Sequence, residues 1–343
     1  MITADDTQTA VSVDNLAVRF VTRERTLYAV NGVSFSLRQG EVLGVLGESG
    51  SGKSVTLKAM LRLLPGSAEI SGAVRVGGDE IIGLPENAME RLRGSRISMI
   101  FQEPMTAFDP VFTIGEQIAE TIVRHEGTSW RQAQRRALEL LERVQIPSAR
   151  QRLGNYPHEM SGGMRQRAMI ALALACRPMV LLADEPTTAL DVTVQMQVLL
   201  LLRELQREMG MAVIFVTHDI GVAFEISDRL AVMYAGRIVE TGPAVEIARN
   251  AAHPYTRGLL RSTLKQRDEG ERLKAIPGAP PVLSSAPIGC SFEPRCDEAM
   301  PVCASSLPTS DTVGSGHQVR CFRFGCAPSQ AVSTSTNPGN CLG

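Results

Sequence analysis

The sequence predicts an α/β fold with a mixed or parallel central sheet, an antiparallel β-subdomain at the N-terminus, an inserted helical subdomain and a small cysteine-rich C-terminal extension. Three observations predict it. A buried strand, a glycine-rich loop and a helix follow one another over residues 41–64. Polar and apolar residues alternate between residues 11 and 37, and strand and helix patterns alternate between residues 179 and 234.

The N-terminal subdomain is indicated by short alternating runs. Residues 11–13, 16–20 and 33–37 alternate polar and apolar side chains, as residues 73–76 do further on. Alternation of this kind is typical of a half-exposed antiparallel sheet. Residues before about 10 are expected to be a frayed terminus.

Residues 47–54 fit the phosphate-loop pattern G-x-x-x-x-G-K-[ST], between a buried strand over residues 41–46 and a helix over residues 55–64. Glycines allow successive backbone N–H groups to point at one anion, and the helix N-terminus adds positive potential. Lys53 adds a full charge at the outer phosphates, and Ser54 can ligate Mg²⁺. The loop predicts a P-loop NTPase fold that binds ATP, with these residues at the nucleotide: Gly47, Glu48, Ser49, Gly50, Ser51, Gly52, Lys53, Ser54 and Val55.

A second anion site is predicted inside the helical insertion, which spans residues 104 to 177. Ser161, Gly162 and Gly163 open a helix that is expected to continue to about residue 177. Helix capping explains the serine but not two glycines after it. The glycines expose backbone N–H groups, and a second phosphate cradle in one chain indicates that each cradle serves the ATP of a different subunit.

Polar residues end three of the predicted strands: Gln102 after residues 96–101, Asp184 and Glu185 after residues 179–183, and His218 after residues 211–217. Ligand sites lie at the carboxyl ends of parallel strands, so these side chains are expected to meet the phosphate loop. Asp184 is expected to hold Mg²⁺ with Ser54 and Gln102, Glu185 to polarise the attacking water, and His218 to contact the γ-phosphate. The alternatives are a helix N-cap for the carboxylates and a structural histidine.

These motifs, in this order and over residues 11 to about 245, resemble the ATP-binding subunits of ABC transporters. The resemblance implies a two-lobed subunit that dimerises head-to-tail, with each ATP between one phosphate loop and the partner's 161–163 turn. It also implies that Asp191 crosses the interface, that Gln102 lies beside the contact with the membrane subunits, and that an aromatic residue stacks on adenine. Phe20 fits that last position by spacing and Tyr28 is the second candidate, although either could be a core aromatic. Met164 departs from the glutamine that many relatives carry.

Further segments are similar to the oligopeptide/dipeptide importer branch: residues 156–167, 176–178, 191–195, 233–236 and 253–256, and the Pro-Gly-x-Pro-Pro run from residue 277. Membership implies a heterodimer of two related ATPases, two integral-membrane permease subunits, and an extracytoplasmic substrate-binding protein. The chain has no signal-peptide pattern and no apolar run long enough to span a bilayer. We expect a peripheral protein at the cytoplasmic face of the inner membrane.

Residues 1–250 are expected to form the ATP-binding domain, residues 251–327 an extension with a metal site, and residues 328–343 a disordered tail. Six of the seven cysteines lie in the last 54 residues, and Cys176 is expected to be a small core residue. Cys290, Cys296, Cys303 and Cys321 have the spacing C-x5-C-x6-C-x17-C, which matches neither the usual zinc nor the compact ferredoxin spacing. The family resemblance favours a [4Fe–4S] cluster, with zinc as the alternative and free thiols as the third reading. Cys326 and Cys341 are interpreted as spare.

The sequence therefore predicts an ATPase that powers a peptide importer. An ABC-type ATPase of DNA repair is the rival, but a net charge of −1 offers no basic surface, so we expect no nucleic acid partner. A small-molecule kinase shares only the phosphate loop. The transported substrate cannot be read from this chain, because other subunits select it.

Overall fold

The computed structural model describes residues 9–187, 191–264 and 276–325. The first hundred residues are rich in strands. Their elements are β1 (Thr9–Val21), β2 (Thr26–Arg38), β3 (Val42–Leu46), α1 (Lys53–Met60), β4 (Ala68–Val76), β5 (Asp79–Glu80), α2 (Glu86–Leu92) and β6 (Ile97–Ile100). Four of the strands form an antiparallel sheet in the order β2-β1-β4-β5, which confirms the predicted N-terminal sheet.

Helices follow β6: α3 (Ile114–Glu126), α4 (Trp130–Arg143), α5 (Ala149–Arg152) and α6 (Gly162–Ala173). Thr113 and Ser129 begin α3 and α4 with capping boxes, in which the third helical residue bonds back to the cap. The buried residues recur every three or four positions and include Ile114, Ile118 and Ile122 on α3. This region is the predicted helical insertion. Helix α6 ends at Ala173, four residues before the predicted end at residue 177. Arg177 itself has a positive φ of 50°.

The chain then returns to alternating strands and helices. The elements are β7 (Val180–Asp184), α7 (Val192–Met209), β8 (Ala212–Thr217), α8 (Ile220–Ile226), β9 (Arg229–Tyr234), β10 (Arg237–Pro243), α9 (Ala244–Asn250) and α10 (Pro254–Leu264). Strands β9, β3, β8, β7 and β6 are parallel neighbours, and β10 joins β9 in antiparallel fashion. The mixed central sheet that the sequence predicts is confirmed.

The central sheet separates two cores, because successive side chains of a strand point to opposite faces. On β7, Leu181 and Ala183 pack with α3, α4 and α6, whereas Val180 and Leu182 pack with α1 and the N-terminal sheet. Helix α1, which follows the phosphate loop, and helix α6, which follows Ser161, therefore lie on opposite faces of the same sheet.

The C-terminal extension adds α11 (Pro301–Ser305), β11 (Asp311–Gly314) and β12 (His317–Val319). Strand β12 pairs with β10, so the extension continues the central sheet to eight strands. The buried His317 imidazole lies 2.7 Å from the buried Glu240 carboxylate, which fixes this junction. The predicted tail, residues 328–343, lies outside the described residues, and so does Cys326 at the end of the predicted extension. No helix in the described part of the chain is long and apolar enough to cross a membrane.

Candidate nucleotide site

The phosphate loop lies between β3 and α1, against the hairpin of β9 and β10. Gly52 has a φ of 100°, and a Cβ there would lie 2.5 Å from the carbonyl oxygen of Ala29. A Cβ on Gly47 would lie 2.2 Å from the carbonyl oxygen of Met233. Both positions therefore require glycine, the first for its backbone conformation as well as its size.

Lys53 is buried within this loop. Its Nζ donates to the carbonyl oxygens of Gly47, at 2.7 Å, and Glu48, at 2.9 Å. Burial lowers the pKa of Lys53, although nearby carboxylates oppose that shift. The hydroxyl of Ser51 is buried with no hydrogen-bond partner among the described residues. An unpartnered hydroxyl beside a buried ammonium group fits a loop that is shaped for an anion.

Ser54 and Asp184 meet at the carboxyl end of β7. The Ser54 hydroxyl donates to Asp184 Oδ1 at 2.6 Å. Burial raises the pKa of Asp184, and the hydrogen bond from Ser54 opposes the shift. A hydroxyl and a carboxylate oxygen beside the phosphate loop are the ligands that Mg²⁺ prefers, so this pair fits the metal that accompanies ATP.

Three of the predicted polar strand ends also meet. Gln102 Nε2 lies 3.4 Å and His218 Nδ1 lies 3.2 Å from the same oxygen, Oε2 of Glu185. Glu185 has a positive φ of 47°, and its backbone N–H donates to the Val216 carbonyl at 3.0 Å. A non-glycine residue in this conformation is strained, and such strain clusters at active sites. The arrangement gives a carboxylate that an amide and an imidazole orient from either side.

The 161–163 turn is built differently. Ser161 caps α6 and its hydroxyl accepts the Met164 N–H at 3.3 Å. A Cβ on Gly162 would meet no atom within 4 Å, while one on Gly163 would lie 3.1 Å from Val194. Asp191 caps α7 by accepting the Val194 N–H at 3.0 Å. Ser161, Gly162 and Asp191 are exposed.

The two adenine-stacking candidates lie on the N-terminal sheet. Phe20 is half-buried and packs against the core beneath that sheet. Tyr28 is also half-buried, and its backbone N–H donates to the Leu283 carbonyl at 2.9 Å. Both side chains remain candidates.

Sequence reasoning missed a set of contacts from the C-terminal region to the phosphate loop. Arg295 forms a bidentate ion pair with the Glu48 carboxylate, and the Tyr255 hydroxyl accepts the Glu48 N–H at 2.9 Å. These partners are separated by more than 200 positions along the chain. No local sequence pattern predicts such a contact, although Tyr255 lies in residues 253–256, which resemble the oligopeptide/dipeptide importer branch.

The four cysteines lie in one part of the extension, each without a disulfide bond. Cys290 donates its N–H to the Cys303 carbonyl at 2.7 Å, and burial raises the pKa of the Cys290 thiol to about 11. Burial also raises the pKa of the Cys296 and Cys321 thiols, and a backbone N–H two positions on opposes the shift at all three cysteines. No group of three or more His, Cys, Asp or Glu residues within the described ranges is arranged to hold a metal ion. The predicted metal site is therefore not supported as a preformed site, and Cys176 packs against the helical core as expected.

Comparison with known proteins identifies the class. Residues 30–188 match the ABC transporter family, and residues 239–303 match the C-terminal region of oligopeptide/dipeptide transporters. The ATP-binding cassette MJ0796, solved as a dimer in a post-hydrolysis state with ADP and Pi, is similar with a TM-score of 0.62 and 29% identity over 68% of this chain and 98% of that one. The chain belongs to the family of ATP-binding subunits of ABC transporters and is an ATPase.

The relatives narrow this further. A Brucella abortus (strain 2308) protein, provisionally named a peptide import ATP-binding protein, is 49% identical over 92% of this chain and 98% of its own. The oligopeptide transport ATP-binding protein OppD of Salmonella typhimurium (strain LT2) is 47% identical over 91% of this chain and 93% of its own. Within the family, the chain belongs to the oligopeptide/dipeptide branch.

Proposed function

We propose that this chain is the ATP-hydrolysing, energy-coupling subunit of an importer for dipeptides or oligopeptides. The observation that carries the proposal is the similarity to peptide-import ATPases over more than nine-tenths of the chain, C-terminal region included. The test is deletion of the gene followed by complementation. Wild type should restore growth on peptides as the sole source of a required amino acid, and Glu185→Gln should not. Equal growth with Glu185→Gln would contradict the proposal.

Within the site, we propose separate roles for the residues. The phosphates are held by Lys53 and the N–H groups of residues 47–55. Mg²⁺ is held by Ser54, Asp184 and Gln102. Glu185 polarises the attacking water, and His218 contacts the γ-phosphate. What supports this is the convergence of Gln102 and His218 on Glu185 and the hydrogen bond between Ser54 and Asp184. Bound Mg²⁺ neutralises charge on the phosphates as the terminal bond breaks.

We further propose that the complete site needs a second ATPase subunit, related or identical. The phosphate loop of that subunit would face Ser161, Gly162 and Gly163 of this chain, and Asp191 would cross the interface between the two subunits. Packing among the described residues does not require a glycine at position 162, since a Cβ there would meet none of their atoms within 4 Å. A nucleotide bound to another chain would require a glycine here, because it would approach the backbone closely. The dimeric state of MJ0796 supports the same arrangement. A heterodimer is the form that the peptide-importer branch implies.

Membrane partners are proposed from the surface that follows Gln102. Met105, Val111 and Phe112 are exposed apolar side chains close together in sequence, ahead of α3. Exposed apolar groups of this kind mark contact surfaces. Two permease subunits would bind here, which would place the chain at the cytoplasmic face of the inner membrane, with a substrate-binding protein on the far side. Purification in mild detergent should recover both permease subunits with the tagged chain. Recovery of DNA instead, released by salt, would favour the repair alternative.

The division into residues 1–250, residues 251–327 and a tail remains a proposal, and so does a metal centre at the four cysteines. Support for the centre is that Cys290, Cys296, Cys303 and Cys321 belong to one short segment and that none of them forms a disulfide bond. The metal would have to draw the thiols together, as a [4Fe–4S] cluster or as zinc. Iron, acid-labile sulfide and zinc analysis of protein purified without oxygen decides the matter. Metal-free protein with four reactive thiols would reject the centre.

A further inference from the structure

In the described part of the chain, the hydrogen bonds from the C-terminal extension to the phosphate loop meet at Glu48. Arg295 Nη1 lies 2.7 Å from Glu48 Oε2, and Nη2 lies 3.0 Å from Oε1. A bidentate pair of this kind fixes direction as well as distance. The Arg295 side chain is only 6% exposed and that of Glu48 is 27% exposed, so the arginine end of the pair is shielded from solvent.

Arg295 is itself fully held. Its remaining N–H groups donate to the carbonyl oxygens of Pro277 and Ile276 and to the Tyr234 hydroxyl. The guanidinium group also lies over the Tyr234 ring, 5.7 Å from its centroid. All five of its donors have acceptors, so the guanidinium group is an anchor rather than a mobile surface charge.

An aromatic cluster supports the same contact from behind. The Tyr234 ring lies 4.6 Å from that of Tyr255 and 5.2 Å from that of Phe292, measured between centroids. These three residues come from β9, α10 and the extension, and all are buried. The cluster fixes the Tyr255 hydroxyl that accepts the Glu48 N–H. The backbone and the side chain of Glu48 are thus held by two elements of the C-terminal region.

Glu48 also faces the catalytic lysine. Its carbonyl oxygen and that of Gly47 accept hydrogen bonds from Lys53 Nζ, which must turn toward the phosphates when ATP binds. The position of the Glu48 backbone therefore determines where the ammonium group rests and how the loop opens.

We propose that Arg295 is a positioning residue for the phosphate loop, by which the cysteine-rich extension sets the affinity of the chain for ATP. Arg295 ends a short turn, Glu293–Arg295, that lies between Cys290 and Cys296. A rearrangement of these two cysteines would therefore reach the loop directly through Arg295, and indirectly through the contact of Phe292 with Tyr255. This inference rests on the proposed ATP site but not on peptide import.

The test is equilibrium ATP binding in a double-mutant cycle. Arg295→Gln and Glu48→Gln should each weaken ATP binding roughly tenfold, the cost of losing a charged hydrogen-bonded pair, with the double variant no weaker than either. In Arg295→Gln, which lies outside the nucleotide site, turnover at saturating ATP should stay within about twofold of wild type, so KM changes and kcat does not. Arg295→Lys, which keeps one contact, should lie between.

The matched control is Arg257→Gln. Arg257 pairs with Glu298 of the same extension at 2.6 Å but does not touch the loop, so ATP affinity should stay at the wild-type value. By reciprocity, ATP should slow hydrogen exchange of the amides of Glu293, residue 295 and Cys296 in wild type and not in Arg295→Gln. Wild-type affinity in Arg295→Gln, or additive losses in the double variant, would overturn the proposal while leaving transport untouched.

Discussion

The two halves of the candidate ATP site are constructed in opposite ways. In the first half, Gly47, Lys53 and Asp184 are buried and a Cβ on Gly47 or Gly52 would meet backbone, although the tip of the loop is exposed. In the second half, Ser161, Gly162 and Asp191 are exposed at the starts of helices, and no described residue packs over Gly162. The difference teaches that the first half is part of the fold, whereas the second half is a surface whose purpose lies in another chain. Substitutions in the two halves should therefore fail differently.

The largest effect is expected at the carboxylate of the buried half. Glu185→Gln should lower ATP turnover by on the order of 10²–10⁴-fold, because the water loses its positioned base. ATP binding should persist, since Lys53 and the loop are unchanged. Steady-state ATPase assays and equilibrium binding check both points, with Glu225→Gln on the exposed side of α8 as the matched control. Turnover near wild type would reject Glu185 as the base.

Loss of the lysine should act on binding itself. Lys53→Ala removes the charge aimed at the phosphates, and ATP affinity should fall by on the order of a hundredfold, as expected when a charge-assisted contact is lost. The melting temperature without nucleotide should change little, because the ammonium bonds only to loop carbonyls. Unchanged affinity would count against the loop as the phosphate cradle.

Two glycine substitutions contrast the halves directly. Gly52→Ala should destabilise the chain by about 1–3 kcal/mol, because its φ is positive and the added Cβ meets a carbonyl oxygen at 2.5 Å. Gly162→Asp should leave stability within about 0.5 kcal/mol, since the site is open. Its carboxylate should nevertheless repel a partner's ATP and lower turnover at least about tenfold. Denaturant unfolding and ATPase assays measure both. Full activity in Gly162→Asp would break the comparison.

The last contrast is a pH dependence on the buried side, which develops only in acid. His253 precedes α10, and its Nδ1 accepts the Tyr255 N–H at 3.1 Å; burial lowers its pKa to about 3. The unfolded state therefore binds the proton more tightly, and the neutral imidazole contributes stability that is lost as pH falls from about 6.5 toward 3, at about 1.4 kcal/mol per pH unit. His253→Asn keeps an acceptor without titrating, so its stability should fall less steeply. Parallel curves for the two proteins would contradict this.

Local sequence patterns were sufficient to predict most of the fold. The alternation of strands and helices predicted between residues 179 and 234 is found as β7, α7, β8, α8 and β9, because periodicity and caps are encoded in neighbouring residues. Helix α1 ends at Met60 rather than near residue 64, because Arg62 turns the chain with a φ of 53°. The predicted polar strand ends also meet, since parallel strands share one edge.

The contacts that join the extension to the rest of the chain could not be predicted. His317 meets Glu240 across 77 positions, and Arg295 meets Glu48 across 247. Both pairs depend on how β12 and the aromatic cluster pack after folding, which no window of sequence contains. The sequence alone therefore predicts only a cysteine-rich extension. In the structure, this extension forms one edge of the central sheet and contacts the phosphate loop through Arg295.

The central claim is that two ATPase chains enclose each ATP. The most direct test is sedimentation velocity of Glu185→Gln with and without Mg–ATP. The variant is measured alone and mixed with a related ATPase subunit recovered with it. The account predicts that Mg–ATP produces a species containing two ATPase chains, and that adding Gly162→Asp prevents it. The account would be contradicted if the variant bound one ATP per chain and remained a monomer, and if wild type hydrolysed ATP at a rate per chain that did not depend on protein concentration.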